Sequence, residues 1–166
     1  MIGLGLGIPH QNMVGSPEIG DTYQGGLVFY LDGSGGGLIC SANVETASPW
    51  GCAGVTTGAT DTAIGTGAQN TIDINAACTT ANTAADRCRD KTTGGYNDWY
   101  LPSKDELNQL YINKSILPAF QPTGFYWSSS EISSTNAWWQ KANSAGGAQS
   151  SATKGNTQNV RAIRAF

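Results

Sequence analysis

Charged side chains are scarce in this chain. They make up 13% of its 166 residues, about half the roughly 25% usual for a soluble domain. Nine Lys and Arg stand against twelve Asp and Glu, a net charge of −3. That leaves no basic surface of the kind that phosphate-backbone binding requires, so nucleic acid is not expected as a partner. Histidine is almost missing: His10 is the only one, and Ser-His or Cys-His nucleophilic catalysis would depend on it. No C-x-x-C pair occurs, which removes the usual zinc spacings. No run approaches the roughly 20 apolar residues of a membrane-spanning helix, so membrane insertion is not expected. The first residues lack a basic segment and are interrupted by Gly3, Gly5, Gly7 and Pro9, unlike a signal peptide. Residues 1–18 read as an extended tether, suited to attachment or homo-oligomerisation.

Glycine is plentiful at 22 residues, and with Ser, Thr and Asn it describes a turn-rich, neutral-surfaced single domain. The segment "GGLVFYLDGSGGGLICSA" reads as a hairpin, Leu27–Leu31 against Leu38–Ser41, joined by an Asp-Gly turn. From Asn43 to Gln69 neither a helical nor a strand period appears, and an irregular loop anchored by Trp50 and Cys52 is expected. Ile74, Cys78, Ala81, Ala85 and Cys88 recur at helical spacing and form one stripe. Ser103 followed by Glu106 is a capping box, so a helix starts at Ser103 with Leu107, Leu110 and Tyr111 facing the core. Tyr96, Trp99 and Tyr100 are expected in the core. "FYWSSS" and "AWWQKA" read as strands and "NVRAIRAF" as a buried closing strand. Strands, then helices, then strands point to α+β with a mainly antiparallel sheet.

The four cysteines, Cys40, Cys52, Cys78 and Cys88, allow three connectivities if all are oxidised. On a continuous helix Cys78 and Cys88 would stand about 15 Å apart, beyond disulfide reach; the alternative is a stripe broken into two helices at its Thr-rich centre, Thr79 and Thr80. Buried reduced thiols are the other reading. The acids Asp32, Asp61, Asp73, Asp86 and Asp90 match no calcium loop and read as solvated turn residues, so no metal and no cofactor are expected. No pair of carboxylates is singled out by spacing for acid-base work, and the chain is not expected to be an enzyme.

One stretch is anomalous. From Ile132 to Asn159 there are 28 residues, 20 of them Ser, Thr, Asn, Ala or Gly, with no acid. It stands directly before the hard apolar ending. In order, "GGLVFYLDGSGGGLIC", "QNTIDI", "GGYNDWYLPSKDELNQLY", "YWSSSE", "NAWWQ" and "VRAIRAF" resemble a widespread bacterial and phage family of domains marked by DWYLPSKDEL and YWSSSE segments. The resemblance covers residues 19–166. It implies a C-type-lectin-like fold with two helices and extensive irregular loops. Members include variable proteins of diversity-generating retroelements, phage receptor-binding tips and bacterial surface domains. In such variable proteins, adenine-containing codons near the gene's 3′ end are rewritten, so Asn drifts toward Ser, Thr, Ala, Gly, Tyr and Asp.

By that resemblance Trp138, Gln140, Gly147, Gln149, Lys154, Val160, Arg161 and Arg164 belong to the framework. The expected ligand-binding surface comprises Ser133, Ser134, Thr135, Asn136, Trp139, Lys141, Asn143, Ser144, Ala148, Ser150, Ser151, Thr153, Asn156, Thr157 and Asn159. Trp139 departs from the pattern, because no adenine change turns an Asn codon into a Trp codon, and Ala142 stands where a larger apolar residue is usual. Strand alternation sends one of the two tryptophans inward and the other outward, where it would serve as an anchor. Arg161 and Arg164 are expected to be structural, paired with carboxylates such as Asp98, Asp105 or Glu131. Formylglycine-generating enzymes share the lectin fold but need paired cysteines near the C-terminal side; here all four precede Arg89. The implied function is display of a diversifiable surface to a protein or glycan receptor, at an extracellular, cell-surface or virion location. A purely structural domain of a phage or bacterial surface assembly is the alternative.

Overall fold

A computed structural model of the chain describes residues 15–120, 123–142 and 147–166. Among these residues, two sheets and three α-helices form an α+β domain in which nearly all strand pairs are antiparallel. The first sheet runs β1 (Thr22–Tyr23), β2 (Gly26–Leu31), β3 (Gly37–Cys40) and β9 (Ile163–Ala165). The second runs β4 (Glu45–Pro49), β8 (Thr157–Val160), β5 (Phe125–Glu131), β6 (Asn136–Lys141) and β7 (Gln149–Thr153). Among the described residues only β5 and β8 pair in parallel, joined at Tyr126 and Asn159.

The expected hairpin is present, with Leu27 opposite Cys40 and Tyr30 opposite Leu38. Asp32 makes its turn. One carboxylate oxygen accepts from the amides of Ser34 at 2.7 Å and Gly36 at 3.0 Å, and these bonds hold its pKa below the usual value. Alternation along β2 and β5 buries both faces of each strand. Val28 and Trp127 enter one apolar cluster with Ile39, Trp50, Ile74, Trp99, Leu101 and Val160. Phe29 and Tyr126 enter a second with Leu38, Leu107, Leu110, Ala142 and Ile163. Each fully buried aliphatic or Phe side chain contributes about 1.5–3 kcal/mol.

The helical stripe ending in Cys88 is two helices, α1 (Gly67–Ala77) and α2 (Ala84–Arg89). The break has a local cause: Thr83 takes an extended conformation and its hydroxyl accepts from the Asp86 amide, while Asp86 accepts from the Thr83 amide. This second capping box starts a new helix instead of continuing the first. Cys78 caps α1 and bridges to Cys52, with Cα atoms 5.5 Å apart. Cys40 and Cys88 are buried thiols, and burial pushes both pKa values up. The cysteines thus divide between the two readings.

Helix α3 (Lys104–Ile112) begins with the expected capping box, the Ser103 amide donating to Glu106 at 2.7 Å. Trp99 and Tyr100 are buried, whereas Tyr96 is half-buried beneath the Arg164 guanidinium, 3.9 Å from its ring. The region expected to be an irregular loop contains β4, paired with β8, and then a true loop in which Trp50 is wholly buried. The single closing strand is also revised. β8 belongs to one sheet and β9 to the other, with Arg161 and Ala162 carrying the chain between them.

Candidate recognition surface

Most of the residues expected to form the framework are buried. Gln140, Gly147, Lys154, Val160, Arg161 and Arg164 are buried, and Trp138 and Gln149 are half-buried. Of the residues expected to form the surface, Ser133, Thr135, Ala148, Ser150, Ser151, Thr153, Asn156 and Thr157 are exposed. Ser134, Asn136, Trp139, Lys141 and Asn159 are half-buried. Asn143 and Ser144 lie outside the described residues.

The segment is more regular than expected, because β6, β7 and β8 take up most of it. Its side chains fall into two groups. At one end of the sheet, Asn136 pairs with Thr153, the Lys154 amide donates to the Thr135 carbonyl at 2.8 Å, and Thr153 bonds to the side chain of Asn156 at 2.9 Å. These turns form a polar tip with Ser133 and Ser134. The second group is aromatic. Trp139 packs edge-on against Phe125 with ring centroids 4.7 Å apart, and the Lys141 ammonium stands 5.8 Å from the Phe125 ring centre. Ser150 lies opposite Trp139. Alternation places Ser151 on the other face of β7, with Trp138, and there the Lys104 ammonium covers the Trp138 ring at 4.7 Å. The tryptophans therefore occupy opposite faces, and both are half-buried.

A buried ion pair supports the tip. The Lys154 ammonium donates to the Glu131 carboxylate and, at 2.7 Å, to the Val55 carbonyl, and it lies 4.5 Å from the centre of the Trp50 ring. Glu131 also accepts from the amides of Thr57 at 3.0 Å and Gly58 at 3.2 Å. The loop so captured reaches the tip itself, since the Gly54 amide donates to the Ser134 carbonyl at 2.8 Å. The Cys52–Cys78 bridge ties this loop to the end of α1. Exposed Val55 and Phe125 extend the surface. Sequence reading missed both: Val55 sits in a segment without periodicity, and Phe125 reads only as a strand residue.

The two arginines part company. Arg164 grips Asp98 with two bonds of 2.6 and 2.7 Å, and these hold the Asp98 pKa down. Among the described residues Arg161 meets no carboxylate. It donates to the Pro118 carbonyl at 3.0 Å, the Ala42 carbonyl at 3.4 Å and the Cys40 sulfur at 3.6 Å. The expectation of a carboxylate pair is thus corrected for Arg161, because the crossing between sheets points its fork at the carbonyls ending neighbouring segments. Glu131 is already engaged by Lys154. Ala142 is buried in the second cluster.

Among the described residues no three His, Cys, Asp or Glu side chains converge to hold a metal ion, and no helix there is long and apolar enough to cross a membrane. A comparison with curated proteins finds no match to the chain. The family model of the Lcl C-terminal domain matches residues 45–164, spanning β4, the three helices, the second sheet and most of β9. With well over half its length matched, the chain belongs to the Lcl C-terminal domain family.

Proposed function

We propose that this protein is a recognition module of C-type-lectin-like architecture, in which residues 132–159 present a diversifiable surface to a protein or glycan receptor outside the cell or on a virion. The observation that carries this reading is one of burial: every described position expected to vary is exposed or half-buried, and six of the eight expected framework residues are buried. A surface meant to accept many side chains gains from a backbone already ordered, because ordering loops on binding consumes affinity. The buried Lys154–Glu131 pair and the loop it holds supply that order. Small hydroxyl and amide side chains give adaptable polar contacts, and the Trp139–Phe125 pair gives a rigid apolar anchor. Variation of this surface by a diversity-generating retroelement fits its composition.

Randomising Ser133, Thr135, Ser150, Ser151, Thr153, Asn156 and Thr157 in a displayed library tests the reading. Most members should keep a wild-type melting temperature, and selection against glycans and purified proteins should yield binders that lose affinity when Trp139 is changed to Ser. A library that unfolds as often as one randomised at Gln140, Lys154 and Arg161 refutes it. At the gene, an imperfect repeat of the 3′ coding segment beside a reverse transcriptase gene, mismatched only at adenines, would show the diversification itself.

A further inference from the structure

β7 closes one side of the second sheet, and its register against β6 is unbroken over five pairs, from Gln140–Gln149 to Asn136–Thr153. Two flanking bonds fix which of its backbone groups point inward. The Lys141 amide donates to the Ala148 carbonyl at 3.0 Å, and the Lys154 amide to the Thr135 carbonyl at 2.8 Å. Bonded and non-bonded pairs alternate along an antiparallel ladder, so Ser150 and Ala152 bond to β6 while the N–H and C=O groups of Gln149, Ser151 and Thr153 turn outward. The Thr153 carbonyl accepts from the Asn156 amide at 2.9 Å. The other five outward groups meet no partner among the described residues.

Edge strands are normally blunted by charge, proline, a bulge, shortness or cover. The other three edges of this fold obey that rule. β4 has a register shift and Pro49, β1 has two residues, and β9 is bridged by Tyr100. β7 reads Gln-Ser-Ser-Ala-Thr, without charge or proline, and Ser150, Ser151 and Thr153 are exposed. Beside this edge the sheet is aromatic and positive. Trp139 stands opposite Ser150 and Trp138 opposite Ser151, so each half-buried indole has only a serine next to it on β7. Alternation puts Lys141 on the Trp139 face, and Lys104 covers Trp138. Neither lysine pairs with a carboxylate among the described residues.

We infer that β7 is a strand-addition site: an extended, acidic segment of a partner protein, with large apolar side chains at alternating positions, pairs along it through main-chain hydrogen bonds. Strand addition there rests on the reading of residues 132–159 as a recognition surface and makes its partner a peptide. Main-chain pairing persists whatever side chains β7 carries. The partner's own side chains alternate between the Trp139 face, beside Ser150, and the Trp138 face, beside Ser151, and its carboxylates answer Lys141 and Lys104. A second copy fits less well, because β7 against β7 would bring only small side chains together and bury little apolar area.

A phage-displayed library of random linear nine-residue peptides, panned against the full chain, should yield sequences in which aromatic or aliphatic residues alternate and Asp or Glu is enriched. The tightest peptide is then N-methylated one amide at a time. Every second amide, facing β7, should lose about tenfold or more in affinity when methylated, and the intervening ones less than about threefold. In the chain labelled with nitrogen-15, binding should slow solvent exchange at the Gln149, Ser151 and Thr153 amides. Ser151→Pro removes an amide that the sheet does not use, so it should leave the melting temperature unchanged and abolish binding. No selected peptide, methylation losses without a period of two, or unaltered exchange would overturn the inference. So would slowed exchange at the same amides in the chain alone, at concentrations where sedimentation shows a dimer, since the edge would then belong to a second copy. If Ser151→Pro lowers the melting temperature, the methylation pattern and the exchange rates on the unaltered chain decide alone. Should these tests fail while the library randomised at the exposed positions still yields glycan or folded-protein binders, the recognition surface stands and only strand addition falls.

Discussion

Lys154→Met tests the support beneath the polar tip. Met keeps the apolar stem against Trp50 but removes the ammonium, leaving the Glu131 carboxylate, only 1% exposed, without its counter-ion. Glu131 keeps the amide donors of Thr57 and Gly58, while the Val55 carbonyl loses its donor. Breaking a buried pair from one side costs roughly 3–5 kcal/mol. A chain of this size loses about 2–4 °C per kcal/mol, so the melting temperature should drop by roughly 6–20 °C. The informative comparison is the double variant Lys154→Met with Glu131→Gln. Removing the stranded charge should make it more stable than the sum of the two single losses implies, by at least about 2 kcal/mol. Urea and thermal unfolding followed by circular dichroism, with the disulfide kept oxidised, measure all four corners of the cycle. A single variant within about 1 kcal/mol of wild type, or strictly additive losses, would show that the pair contributes little and that the tip is held by other means.

Opening the Cys52–Cys78 bridge by replacing both residues with Ser should cost roughly 3 kcal/mol for a 26-residue separation; denatured, unreduced protein should titrate two thiols, and four would remove the bridge from the account. Gly147→Ala should destabilise by about 1–3 kcal/mol in urea unfolding, because its φ of +60° disfavours a side chain and the new Cβ would strike the Tyr111 ring. A neutral effect would contradict that close approach. The Arg164 bonds depress the Asp98 pKa, so their stabilisation is fully present above the unfolded value of about 3.9 and fades as pH falls through the lower folded value. Asp98→Asn should therefore lower stability at neutral pH and flatten the acid limb of the stability profile below about pH 4; because Asp98 is 56% exposed the change should be small, under about 1 kcal/mol. An unchanged acid limb would exclude Asp98 as its source.

The features legible from residue order are those made by neighbours along the chain. The Ser103–Glu106 capping box, the Asp32 turn and the alternation of FYWSSS each close within a few residues, so local chemistry suffices to place them. The Thr83–Asp86 box carries the same signal, but the longer apolar stripe running through it suggests a continuous helix. The 132–159 segment stands out by composition alone.

What composition and short-range pattern determined, then, was the α+β class, the first hairpin, the start of α3 and the location of an unusual polar stretch. The tertiary structure alone decided that Cys52 bridges Cys78, that Lys154 rather than an arginine meets Glu131, that Arg161 answers carbonyls, and that the last strand is divided between two sheets. Each of these joins groups brought together only when the sheets and helices pack. A buried charge or thiol takes whatever partner that packing leaves within reach, and no local spacing names it in advance.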